Sequence, residues 1–392
     1  MFAIVAHHIY TYSLIPFEFE SIDIYLFNGL FNGFSKAGCL GFILITGYFM
    51  IDREFKPSNI LKLAVEIWFY NWVINILLIA TGKLEFSWEI LYNTMFPIIL
   101  IEFWFLTYYI IIMLLSPVVN KALNSISKGQ YRLLLIIMII VSFILPTMIH
   151  RSEFTELLIL LTGYCIGGYL KLYPSAVSNS IKFGISTFAA TIVSFIIIMI
   201  CTFYFMHGGY IVLEDDKFLF FIIYLLASVI ILTLSFHLGS VKIMTATVLM
   251  VVLFGNLINI LFNGYETVNM ENHPWNGLMM MSAVSLFLVF INMKPRDIRW
   301  INFLSASVLA IYIIHFQMYL REHIIERIDL ISWVGSDWYP AYALASVIAV
   351  MAACLLIDIA RRELFRGIYQ LMHEKIDNIS NRVDEAYLRL IE

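Results

Sequence analysis

Two histidines, His7 and His315, sit inside apolar stretches of the length that membrane helices need. An imidazole exchanges protons near neutral pH, so it can take the proton from a hydroxyl, which is a poor nucleophile until that proton leaves. In a bilayer span an ionisable side chain is costly and marks a functional position by default. A plainer use stays open for both, because an imidazole can also hydrogen-bond across helices and do nothing more. His8 reads as a neighbour of His7. Tyr312 lies three residues before His315 and joins it as a candidate for the same site. Tyr48 and Trp104 are site-lining candidates that serve equally well as packing or interfacial aromatics. Glu102, close to the end of a span, reads as a solvated carboxylate in preference to an acid-base group. Glu66 follows Lys62 at i+4 and reads as its local partner. Cys39, Cys165, Cys201 and Cys354 are scattered through apolar runs without metal-ligand spacing, so no metal site is expected and the thiols read as small core residues.

Composition says what must position these groups. With 61% apolar residues, 13% charged residues and a mean hydropathy of +0.87, the chain reads as a polytopic membrane protein, not a large soluble domain. A net charge of −4 offers no basic footprint for nucleic acid. About 20 apolar residues cross a bilayer as a helix. That ruler gives an all-α protein with about twelve spans (ten to twelve), near 1–15, 33–51, 60–81, 98–119, 131–150, 154–172, 182–206, 218–236, 243–262, 277–293, 303–325 and 340–360. Helices are expected because lipid cannot satisfy an open strand's backbone.

Charge orients the spans. Of the lysines and arginines before the tail, twelve fall on one set of loops and six on the other, and the second set carries Glu214, Asp215 and Asp216. Basic loops stay cytoplasmic, which puts both termini there. Residues 1–360 thus form the membrane domain and 361–392 a cytoplasmic amphipathic tail. The tail's basic start (Arg361, Arg362, Arg366) suits anionic headgroups, and a solvated helix fits as well. The first span, near 1–15, covers only about 22 Å against a hydrocarbon core of about 30 Å. Either the bilayer thins around it or further residues precede Met1; the second is the expectation.

Five segments recur in a telling order. Ile4-Val-Ala-His7-His8 is followed by Gly41-Phe-Ile-Leu-Ile-Thr-Gly-Tyr48, then by Phe103-Trp-Phe-Leu-Thr-Tyr-Tyr109 leading to Ser116-Pro117 and Asn120. Gly163-Tyr-Cys-Ile-Gly-Gly-Tyr-Leu-Lys171 comes next, and Ser305-Ala-Ser-Val-Leu-Ala-Ile-Tyr-Ile-Ile-His315 last. Together they resemble the membrane acyltransferase 3 family, whose members O-acylate bacterial surface polysaccharides and lipid-linked sugars. The resemblance covers about residues 3–320. It implies a multi-pass enzyme of the plasma membrane that moves an acyl group, acetyl in the first instance, from acyl-CoA to a glycan hydroxyl. His7 matches the family's catalytic histidine of the first span. The family's arginine ten residues earlier would fall before Met1, a second reason to expect an upstream segment. Where relatives show arginines after the second span, this chain has Arg53, Lys56 and Lys62; these become the donor-binding candidates. Acetyl-CoA is polyanionic and cytoplasmic, which suits basic residues at inner helix ends, although lysine lacks arginine's bidentate fork. The alternative is a transporter or flippase of a lipid-linked sugar. Carriers often show repeated halves and broken helices, and no matching halves are visible here.

Overall fold

Apolar segments that meet no water satisfy their backbone groups internally as helices, and every regular element among the described residues is helical. The computed structural model describes residues 1–13, 21–145, 156–208, 226–227, 230, 240–263 and 277–391. Among these, six helices are long and apolar enough to cross a membrane: Ile22–Met50, Pro57–Ala80, Trp104–Ser125, Ile181–Tyr204, Arg299–Phe316 and Tyr339–Gly367. The expected segments near 1–15, 131–150, 154–172, 243–262 and 277–293 hold the helices Phe2–Ser13, Lys128–Ile139 with Ile140–Ile144, Glu156–Leu172, Val241–Asn263 and Gly277–Ile291. The span expected at 218–236, apart from residues 226, 227 and 230, lies outside the described residues. So do the acidic loop of Glu214, Asp215 and Asp216 and three histidines, His150, His237 and His273.

Contacts divide the chain into two units: Met1–Phe17 with Arg53–Asn120 and Pro295–Glu392, and Glu18–Asp52 with Lys121–Lys294. The first unit holds α1 (Phe2–Ser13), α4 (Pro57–Ala80), α5 (Trp88–Met95) and most of α6 (Trp104–Ser125). It also holds α12 (Arg299–Ser305), α13 (Val308–Phe316), α14 (Met318–Ile324) and α15 (Tyr339–Ile391). In the second are α2 (Ile22–Gly33), α3 (Ser35–Met50), α7 (Lys128–Ile139), a π-helical turn (Ile140–Ile144), α8 (Glu156–Leu172), α9 (Ile181–Gly208), α10 (Val241–Asn263) and α11 (Gly277–Ile291).

Within the first unit, α1 packs on α15 and α13, and α13 packs on α15 and α4. One expectation is corrected here. The span near 303–325 is placed at Arg299–Phe316 and is built of two short helices that meet at Ala306–Ser307, with a third after a break at Gln317; the fully buried side chains of Ser307 and Gln317 meet partners on α15 and α4. The 53-residue α15 runs unbroken past residue 360. Its tail docks at the start of α4, where Asp384 accepts hydrogen bonds of 2.9 Å from both the backbone N–H and the hydroxyl of Ser58. A carboxylate there satisfies an N–H that a helix start otherwise leaves unpaired. Tyr387 packs edge-on against Phe55 beside it.

In the second unit the glycines of two of the recurring segments have a packing role. A Cβ on Gly47 would run into the backbone of Tyr164, and one on Gly167 into the backbone of Leu44. Small residues let membrane helices approach until their backbones touch, and here they close α3 onto α8. Gly41, one helical face away, has open space around it. Gly47→Ala should therefore cost about 1–3 kcal/mol of stability by overpacking. Gly41→Ala should be neutral or slightly favourable. Thermal unfolding of the two purified variants in detergent checks the contrast.

Candidate active site

The helix that carries His315 is only nine residues long, about 13 Å. Both of its ends are tied to α4 or to partners of α4. At one end the Ser307 hydroxyl donates to Asp358 Oδ2 of α15 at 2.6 Å, and Tyr70 of α4 donates to Oδ1 at 2.5 Å. Arg361 Nε donates to the same Oδ1 at 2.9 Å, while Arg362 Nη2 reaches the Ser307 hydroxyl at 3.0 Å. Asp358 has no exposed surface, and a buried carboxylate survives when paired and hydrogen-bonded as here. At the other end the extended backbone of Gln317 stops α13, and its Oε1 accepts from Leu320 N at 2.8 Å to cap α14. Its Nε2 donates to Asn75 Oδ1 at 3.0 Å and Asn71 Oδ1 at 3.2 Å on α4. Asn75 in turn donates to Thr94 of α5 at 2.7 Å.

Between these two anchors the imidazoles of His8 and His315 meet. His315 Nε2 lies 2.8 Å from His8 Nδ1, and His315 Nδ1 lies 2.5 Å from the carbonyl oxygen of Ile311. A carbonyl only accepts, so the proton on that side sits on His315 Nδ1. In the neutral pair His315 Nε2 is then the acceptor and His8 Nδ1 the donor. The remaining lone pair is on His8 Nε2. This chain of two imidazoles and one carbonyl presents a single oriented base, with the logic by which a carboxylate fixes the tautomer of a catalytic histidine. Phe316 stacks on His8 at 4.5 Å between ring centroids, and Tyr312 stacks on Phe316 at 5.6 Å. Phe103 and Phe105, which flank Trp104, close on Tyr312 at 6.5 and 6.0 Å.

The other sequence candidates are distributed as follows. His7 is half-buried on α1, its ring 5.4 Å from that of His8; the imidazole aligned on His315 is that of His8. Tyr312 is buried against the pair, and Trp104 opens α6. Tyr48 belongs to the second unit, where its ring meets Phe287 edge-on and lies under the Lys171 ammonium. Arg53, Lys56 and Lys62 are exposed around the start of α4. Glu66 pairs with Arg361 at 3.4 Å in place of the expected Lys62, since the inward turn of Arg361 toward Asp358 brings it alongside. That turn also moves Arg361 and Arg362 from the tail's headgroup-facing start into the helix bundle. Glu102 is half-buried among Asn71, Gln317 and Met318, not solvated. Sequence reasoning passed over Asn71, Asn75 and Asp358, although polar groups in apolar runs are themselves the signal. Among the described residues no group of His, Cys, Asp and Glu could hold a metal ion.

Asp358→Asn should remove the charge that Arg361 and Arg362 share. Breaking such a buried cluster costs about 3–5 kcal/mol. The exposed Arg366–Glu363 pair is the control, and Arg366→Ala should cost about 1 kcal/mol or less. Comparative unfolding of the two variants in detergent reads the difference.

No curated protein and no solved structure matches the chain. A family model described as an acyltransferase domain, that of the acyltransferase 3 family, matches residues 1–244. That span is well over half of the 392 residues and includes α1 with its two histidines. The chain belongs to the acyltransferase 3 family and is a membrane acyltransferase.

Proposed function

We propose that this protein moves a short acyl group, acetyl in the first instance, from acyl-CoA to a hydroxyl of a cell-surface polysaccharide or lipid-linked sugar at the plasma membrane. Both termini lie in the cytoplasm in this reading. The observation that carries it is the oriented base at His8 Nε2, held by His315 and the Ile311 carbonyl. His8 takes the proton as the acceptor oxygen attacks the thioester carbon. The tetrahedral intermediate then expels the CoA thiolate, which recovers that proton from His8. One ester forms, one thioester breaks, and the histidine returns to its starting state. His315 acts through His8: it accepts the Nδ1 proton's hydrogen bond and steadies the imidazolium while it exists. Arg53, Lys56 and Lys62 supply the basic face for the phosphates of the donor.

Family position singles out His7 and geometry singles out His8, so the two are tested side by side. In cells that lack the gene, complementation with His8→Ala should leave glycan acetate about 10²–10⁴-fold below wild type. His7→Ala should retain most of it, and His315→Ala should fall between. The measurement is ester-linked acetate on purified glycan at matched protein levels. An inactive His7→Ala with a normal His8→Ala would return the base to His7.

Neutralising Arg53, Lys56 and Lys62 together should raise the Michaelis constant for acetyl-CoA more than that for the glycan. Equal changes in both would count against a donor site there. The interrupted α12–α13–α14 segment is a feature that carriers share, so movement of a lipid-linked sugar across vesicles without esterification would favour the flippase reading.

A further inference from the structure

Ile101 has φ +58, in the left-handed region that a β-branched residue enters only as an outlier. Its own side chain is largely exposed, so burying that side chain does not explain the twist. Backbone strain of this kind persists where its surroundings impose it, and it gathers at functional sites. What the twist delivers is the next residue. Glu102 turns toward the α13–α14 junction, where its oxygens accept from Asn71 Nδ2 at 3.4 Å, Gln317 Nε2 at 3.5 Å and Met318 N at 3.5 Å. All three are long beside the 2.9–3.0 Å usual for such bonds, or the still shorter ones a carboxylate makes. The accepting power of Glu102 is largely unspent.

A donor with the converse property lies close by. Arg321 of α14 has a side chain 18% exposed, and its guanidinium carbon lies 4.0 Å over the ring of Tyr12. Nη1 donates to the Tyr12 hydroxyl at 2.9 Å, but Nε has no hydrogen-bond acceptor among the described residues and only Glu326 at 3.9 Å. A buried donor without an acceptor calls for a reason. Arg321 lies three residues after Met318 on the same helix, and the Met318 N–H is bonded to Glu102. Both groups stand at the same end of the imidazole pair: Tyr12 lies one turn beyond His8 on α1, and Met318 three residues beyond His315.

We propose that Glu102 and Arg321 together form the acceptor subsite, gripping adjacent hydroxyls of a sugar ring and presenting one of them to His8. The chemistry selects the ligand. A hydroxyl donates and accepts at once, so a vicinal diol can donate a hydrogen bond to the Glu102 carboxylate while its oxygens accept one from the Arg321 guanidinium. An alkyl chain would satisfy neither group. The proposal rests on the acyltransfer reading above and adds to it which residues choose the hydroxyl.

The test uses full-length protein in cells lacking the gene, complemented with wild type, Glu102→Gln, Glu102→Ala, Arg321→Lys or Arg321→Gln. Ester-linked acetate on the purified surface and lipid-linked glycans is quantified and its ring position mapped by NMR. Acetyl-CoA binding to each purified variant is measured by calorimetry. Glu102→Ala and Arg321→Gln should lower glycan acetate about tenfold or more. The residual acetate should be spread over more than one hydroxyl, with acetyl-CoA affinity unchanged. Glu102→Gln and Arg321→Lys should retain more transfer but still blur the position. An unchanged single position at an unchanged level in all four variants would overturn the subsite. So would a joint loss of acetyl-CoA binding and transfer in the two conservative variants, which would make the pair structural. If wild-type cells carry no protein-dependent acetate on any glycan, the acyltransfer reading itself falls, and the subsite with it.

Discussion

Inside a bilayer a helix end is a liability, because its unpaired N–H and C=O groups find no water. The nine-residue helix α13 has two such ends within about 13 Å. The side chains of Ser307 and Gln317 tie each end of the helix to a polar network, and α4 serves both networks. Tyr70 reaches the carboxylate that holds Ser307, and Asn71 and Asn75, one to five residues further along, hold Gln317 directly. His315 occupies the last turn of this suspended piece. Its ring is therefore fixed by tertiary hydrogen bonds at the ends of its helix, not by loop chemistry near it.

The choice of partner for His8 follows from the same scarcity of water. A carboxylate behind a catalytic imidazole orients it strongly, but it brings a charge that an apolar bundle must neutralise. Here a second imidazole takes that place, oriented in turn by the carbonyl of Ile311, and the resting chain from carbonyl to His8 Nε2 carries no net charge. In the proposed reaction, charge appears there only while His8 holds the proton. Among the described residues of the unit the one fully buried carboxylate, Asp358, is kept at the opposite end of α13 and answered by two arginines, a tyrosine and a serine.

The helical class and the candidate status of His315 were legible in the sequence, because apolar runs and an ionisable residue within one are local signals. The interruptions at Ser307 and Gln317 were not. Neither position has the glycine or proline that marks a broken helix, and what breaks the helix is the distant company of Asp358, Asn71 and Asn75. The choice between His7 and His8 is of the same kind. Neighbouring residues on a helix point about 100° apart, and only the arrival of a residue 307 positions later decides which one meets His315. Local pairing rules misled for Glu66, whose i−4 lysine was outcompeted by Arg361 from α15. The recurring glycine segments, conversely, were legible as motifs before their physical cause was visible: in α3 and α8 they are where two backbones touch.

The two ends of α13 differ in kind, and the difference suits a reaction with two substrates. At the Ser307 end the network is ionic and tightly spent: Asp358 and Glu66 are matched by Arg361 and Arg362, at distances down to 2.8 Å. Such a cluster resists rearrangement, since removing one partner strands the others. Built from amides around Gln317, the opposite network is neutral, and it is slack at its edge, where Glu102 accepts only long hydrogen bonds and Arg321 keeps a donor in reserve. A rigid end fixes the height and angle of His315; an end with unspent hydrogen bonds can exchange them for those of a polar ligand at little cost. In the proposed reaction the base is thus held from the side that cannot yield and opens toward the side that can.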